Sequence, residues 1–169
     1  MKLTDIAPIE TWLQMVKEIY EKFGVNCGVL DIDNVVVQPP VGWANKACPL
    51  IKGNENSRVV CASAQQELSG KARNSKKTVI GKCDVGFTKF VTPIFYNDEF
   101  LGTTGGCGVL LEGDELDELD DFYISKILNI SEKEAKELIK DVKIVSTDDL
   151  EKNVKYMEEA LLKIIDLCG

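Results

Sequence analysis

Ile9, Leu13, Val16, Ile19, Tyr20 and Phe23 recur at helical spacing. Residues 8–23 are therefore predicted to form an amphipathic helix, and Gly24 supplies its stop, because glycine takes up left-handed backbone freely. Residues 25–30 read as a strand, 31–34 as a turn and 35–37 as a second strand, together a β-hairpin. From 38 to about 56 the apolar rhythm breaks. Pro39, Pro40, Gly42, Trp43, Asn45, Cys48, Pro49, Gly53 and Asn54 predict a long irregular stretch there, and long loops inside compact domains are often functional. Ser57 is placed to cap a helix to about residue 75, with Val60, Ala64, Leu68 and Ala72 as its apolar stripe and Cys61 beside it. Strands are predicted at 78–82, 87–96 and 100–104, the last extended by Val109-Leu110-Leu111. Gly105, Gly106 and Gly108 flank Cys107, which marks a close backbone approach or a sharp bend. From residue 114 the pattern turns helical. One helix is expected at 117–128, and a Ser131/Glu134 capping box opens another to about 142. A last helix, capped by Thr147, carries Leu150, Val154, Met157, Leu161, Ile164 and Ile165 on one face.

Composition narrows the class. A chain of 169 residues suits one core of ordinary size. Its net charge of −8 argues against nucleic acid and against anionic membrane surfaces, both of which need a basic patch. The first residues lack the apolar stretch of a secretory signal, and no run reaches the roughly 18 apolar residues of a membrane span. A cytoplasmic location is expected. In that reducing compartment six cysteines favour metal binding or redox work over a disulfide framework.

The chain contains no histidine. Ser-His-Asp and Cys-His catalysis are therefore excluded, and a transition-metal site must rest on thiolates, which select zinc, Cu(I) or iron–sulfur clusters. Cys48, Cys61, Cys83 and Cys107 are the candidate ligands, because they sit at element edges beside Pro49, Asp84 and the three glycines. Cys27 alternates with apolar positions and reads as core, and Cys168 sits at the frayed end of the last helix. No Cys-x₂₋₄-Cys knuckle of the kind that marks structural zinc is present, so an iron–sulfur cluster, [4Fe–4S], is the expected cofactor and zinc the alternative. Asp31 and Asp33 read either as a turn or as ligand-positioning groups, and Trp43 either as a lid over a pocket or as packing. Gly102-x-x-Gly105-Gly106 does not follow a strand and open a helix, so it is no dinucleotide fingerprint. The acidic run at 112–121 lacks EF-hand spacing.

Asp31-x-Asp33, Cys48-Pro49-Leu50-Ile51, Cys61, Lys82-Cys83-Asp84-Val85-Gly86-Phe87, Thr92-Pro93-Ile94, Leu101-Gly102 and Gly105-Gly106 follow one another in an order that resembles the PocR ligand-binding domain, a sensory family related to PAS and GAF modules. The resemblance covers roughly residues 12–111. It implies an α+β fold: an antiparallel sheet of about five strands flanked by helices, with a ligand between sheet and helices. It also implies signalling rather than turnover, with a small alcohol or hydrocarbon as ligand. Family members commonly carry a His-Ala-Gly-Leu type segment after the third cysteine, where this chain has Asp84-Val85-Gly86-Phe87. Cys107 stands where many carry Gly-Gln-Val. These departures point to a cysteine-rich branch with an all-sulfur site.

The expected organisation is a sensory domain at 1–112 and a helical extension at 113–169 that packs on the core or on a second copy, giving a homodimer through the last helix. The expected function is a binding module that holds a metal centre or small ligand through the four cysteines. Asp31, Trp43, Gly105 and Gly106 are its remaining cofactor-side candidates. The signal, a small molecule or a redox change, would pass to a separate output protein. The alternatives are a cluster-dependent redox enzyme and a small-molecule (diol- or hydrocarbon-like) sensor with structural zinc or no metal; against the enzyme, none of the carboxylates or lysines that could act as a base has a recognisable partner.

Overall fold

The computed structural model describes residues 1–114 and 119–169. Its sheet runs in the order β2-β1-β5-β4-β3, formed by β1 (Val29–Asp31), β2 (Val36–Gln38), β3 (Val79–Lys82), β4 (Thr88–Tyr96) and β5 (Glu99–Leu111). All neighbours along this path are antiparallel. A short sixth strand, β6 (Ile144–Val145), adds to β5 in parallel. The fold is the α+β antiparallel sheet with flanking helices that the sequence predicts.

Helices cover both faces. Phe90 and Ile94 of β4 join a core with α1 (Leu3–Ile6), α2 (Ile9–Phe23) and α7 (Thr147–Cys168). Val91, on the opposite pleat, packs with Leu68 and Ala72 of α4 (Arg58–Ser75), as strand alternation requires. A second core gathers α3 (Ala47–Gly53), α5 (Asp121–Leu128) and α6 (Glu132–Ile139) around Val85, Phe87 and Leu110. Trp12 is wholly buried, and its indole N–H donates to the carbonyls of both Leu3 (3.1 Å) and Ala7 (3.2 Å), which ties α1 onto α2.

Several local devices follow the sequence directly. Gly24 ends α2 at φ 68°. The Ser131/Glu134 capping box opens α6 with both reciprocal hydrogen bonds. Asp31 Oδ1 accepts from the N–H groups of Asp33 and Val35, both at 2.9 Å, and so shapes the β1–β2 turn. The last helix takes Ser146, not Thr147, as its cap. The expected start of the 117–128 helix lies partly outside the described residues; α5 begins at Asp121, capped by Asp120.

Two elements were not legible. The stretch at 38–56 contains α3, although Pro49 falls inside it. Proline in a first helical turn costs nothing, because its missing N–H has no intrahelical partner there. Asn45 Oδ1 accepts from the N–H groups of Ala47 (2.9 Å) and Cys48 (2.8 Å) and starts the helix in place of a conventional cap. β6 is only two residues long and carries no periodicity.

The apolar stripe on which pairing of copies was expected is used within the chain. Leu150, Met157, Leu161 and Ile164 of α7 are buried against the sheet and α2. Leu162 and Leu167 are the large apolar side chains that α7 leaves exposed.

Candidate functional site

The helical face of the sheet around Cys107 carries two joined spaces. One is a cleft of about 340 Å³ between α4 and the β1–β2–β5–β4 surface. The other is a small cavity of about 20 Å³ beneath it, in the second core. They share Asn26, Lys52, Cys61, Lys89 and Cys107. A larger groove of about 400 Å³ between α2 and α7 is flanked by Glu10, Glu18 and Glu159 and has no cysteine in its wall. The cleft, not this groove, joins the unusual chemistry of the chain.

All four candidate cysteines line the small cavity, and neither Cys27 nor Cys168 does. They arrive from four elements. Cys48 is in the first turn of α3, Cys61 is in α4, Cys83 leads out of β3, and Cys107 lies in β5. Electrostatically they form a closed ring: Cys48 feels Cys107 and Cys61, Cys61 feels Cys83, and Cys83 feels Cys107.

The donors around the sulfurs are specific. Asn45 Nδ2 donates to Cys48 Sγ at 3.1 Å and to the Gly108 carbonyl at 2.8 Å. The Asn26 side chain also favours the Cys48 thiolate. Asn26 is 5 % exposed, holds Ala44 N–H on its Oδ1 at 2.7 Å, and leaves Nδ2 without a geometric hydrogen-bond partner. The turn after Cys83, closed by Gly86 N–H to the Cys83 carbonyl at 2.9 Å, presents backbone N–H groups of Phe87, Val85 and Gly86 to the Cys83 sulfur.

Burial dominates the thiol chemistry. It pushes Cys48 up, with neighbouring Cys107 adding to the effect and the Asn45 and Asn26 donors opposing it. Burial also raises Cys61, against the pull of Lys52 and Lys89. Burial, then Cys107, raises Cys83 against its three N–H donors. Desolvation alone makes a thiolate costly here. With no metal bound, these three cysteines are thus held as neutral thiols.

The same physics gives a pH dependence at Cys27, which is 1 % exposed and pushed by burial from 9.0 to about 12. A folded-state value above the unfolded one gives stability that is complete below pH 9 and is lost as pH rises toward 12. In chelator-treated, reduced protein the urea midpoint should fall from pH 8 to pH 10 less steeply in Cys27→Ala than in wild type. The thiol accounts for up to about 1.4 kcal/mol per pH unit. Parallel pH profiles for the two proteins would refute this.

Other sequence candidates fall as follows. Gly105 lines the cleft. Gly106 is buried, and a Cβ there would meet the Phe90 ring at 2.5 Å. Asp31 serves the hairpin turn. Trp43 is half-buried against the second core and lines neither space. Among the described residues, no group of three or more His, Cys, Asp or Glu side chains is already arranged to hold a metal ion. Asn45 and Asn26 were not singled out from sequence, since a single asparagine carries no pattern. Lys52, Arg58 and Gln65 could have been: Arg58, Cys61 and Gln65 fall on one helical stripe.

A family model described as the sensory domain found in PocR matches residues 5–168. This chain belongs to the PocR sensory-domain family. The match extends beyond the 12–111 region that carries the sequence resemblance and takes in α5, α6, β6 and α7. In this PocR domain the cleft lies between sheet and helix, where the family resemblance places a ligand. No curated protein matches the chain, and no solved structure does. Among the described residues, no helix is long and apolar enough to cross a membrane.

Proposed function

We propose that this PocR domain is a sensory module in which Cys48, Cys61, Cys83 and Cys107 hold one metal centre, a [4Fe–4S] cluster, at the floor of the ligand cleft. The observation that carries the reading is the selection of cysteines. Four of the six converge on one cavity from four separate elements, and Cys27 and Cys168 lie elsewhere. All-thiolate ligation is the common way to hold such a cluster. N–H donors aimed at sulfur, as around Cys83 and Cys48, are the outer-shell groups that orient and tune it.

The sequence favours a cluster over structural zinc, because the chain has no Cys-x₂₋₄-Cys knuckle. The cavity of about 20 Å³ has room for roughly one water. A cluster would therefore need room from the adjoining cleft of about 340 Å³, which shares Cys61 and Cys107 with the cavity. Lys52 and Lys89, which favour the Cys61 thiolate, would offset the negative charge of the loaded site. A change at the centre, or in the occupant of the cleft beside it, is the signal, passed to a separate output protein.

The test is anaerobic purification followed by a visible spectrum with iron and acid-labile sulfide analysis. A brown protein with iron and sulfide in equal amounts is the expected result. Stoichiometric zinc in a colourless protein would replace the cluster with a structural site, and a metal-free protein after strictly anaerobic preparation would overturn the metal reading.

A further inference from the structure

We infer that the cleft takes a small organic anion, a carboxylate with a short apolar body, held by Lys52, Arg58 and Lys89. This rests on the reading of the cleft as the ligand site and does not require the metal centre.

The first argument is charge. The chain carries 28 acidic and 20 basic side chains, yet the cleft wall contains three cations and no carboxylate. The three come from α3, α4 and β4, so no single local sequence accident put them together. None of them takes part in an ion pair or side-chain hydrogen bond among the described residues. Elsewhere on the same protein, Lys71, Lys76, Lys136 and Lys140 all find carboxylates. Clustering three unpaired cations around one concavity costs mutual repulsion, and an anion removes that cost.

The second argument is the unpaired donor at the floor. Asn26 Nδ2 is buried with no partner at hydrogen-bond distance, although it also favours the Cys48 thiolate, and Asn26 lines both spaces. A buried donor without an acceptor is costly. A carboxylate oxygen supplies the acceptor.

The third is the opposite wall. Leu30, Val36 and Pro40 give the cleft an apolar side. At about 340 Å³ the space falls at the small end of ligand sites. An organic acid of a few carbons satisfies both walls, and inorganic phosphate satisfies only one. A neutral alcohol or hydrocarbon, the ligand class that the family resemblance implies, would leave the three cations unmatched.

Lys52 and Lys89 also face Cys61, so part of their role belongs to the thiol site. Arg58 does not appear among the charges acting on Cys27, Cys48, Cys61 or Cys83. It is the residue that separates the two roles.

The test is titration calorimetry on the full chain, as purified anaerobically, with butyrate, benzoate, butyramide, butanol and inorganic phosphate. Butyrate or benzoate should bind, butyramide and butanol should not, and binding should weaken as salt is raised. Arg58→Gln should weaken carboxylate binding about tenfold, a usual size for loss of one charge-assisted contact, with metal content unchanged. Equal binding of butanol or butyramide would overturn the anion inference and leave the cleft a ligand site. Binding of phosphate alone would overturn the organic body. Full carboxylate affinity in the Arg58→Gln, Lys89→Gln double variant would also overturn the inference. Binding of no probe would overturn the inference and the cleft reading together.

Discussion

Alanine at any one of Cys48, Cys61, Cys83 or Cys107 is expected to abolish most of the visible chromophore and bound iron, while Cys27→Ala and Cys168→Ala keep both. The four line one cavity and the other two lie outside it. Cys27 sits in the first core, its sulfur 3.9 Å from Thr104 Oγ1. Cys168 ends α7. Metal binding to a site that the unfolded chain lacks is itself folding free energy, so loss of one ligand should lower the thermal midpoint of loaded protein far more than that of chelated protein. In the chelated protein Cys48→Ala should cost only the small cavity and the Asn45 contact, about 1–2 kcal/mol. The two costs are separated by running each variant with and without metal. Colour that survives in all four site variants would remove the cluster from this site.

Gly105→Ala is expected to be among the most damaging single substitutions in the sheet. A Cβ at Gly105 would lie 2.0 Å from the Phe90 carbonyl oxygen, 3.0 Å from the Phe90 carbonyl carbon and 3.2 Å from the Val91 Cα. All three atoms are backbone of the paired strand, where Val91 stands opposite Gly105 and Phe90 opposite Gly106. No side chain can swing away, so the central β4–β5 ladder must part. The cost should be about 3 kcal/mol or more, read as a drop in urea midpoint. Gly70→Ala, in α4 with nothing within 4 Å of the added carbon, is the control. Alanine there should stabilise by about 0.8–1 kcal/mol. A Gly105→Ala protein as stable as wild type would mean that β4 and β5 are spaced otherwise than described.

Much of the fold was legible because the strong signals are local. The α2 stripe, Gly24, the Ser131/Glu134 pair and the period-two segments each state their element within a few residues. The glycines around Cys107 announced a close approach or a sharp bend, and β5 continues through them as one strand with a register shift at Gly108. The convergence of the four cysteines was readable only as chemistry: thiols in irregular or glycine-rich backbone, in a chain without histidine. What the sequence could not show was anything that depends on two distant segments meeting. Asn45 caps α3 and reaches Gly108, and nothing within residues 40–50 points to that partner. Lys52, Arg58 and Lys89 are ordinary surface cations until the fold places them around one cleft. The stripe of α7 was visible, but an amphipathic face does not say which surface it will cover.

The strand that carries Cys107 also holds the root of the last helix. Two backbone hydrogen bonds join the end of β5 to the β6 segment, from Leu110 N–H to the Lys143 carbonyl (2.9 Å) and from Glu112 N–H to the Val145 carbonyl (2.7 Å). Ser146 then caps α7 immediately after β6. From the sulfur to that helix the route is paired backbone, with no free loop between. The β4–β5 register shifts at Gly108, where φ is 94°, so this route carries one joint between Cys107 and β6. The end of β5 thus meets the base of a 22-residue helix whose outer side carries exposed Leu162 and Leu167.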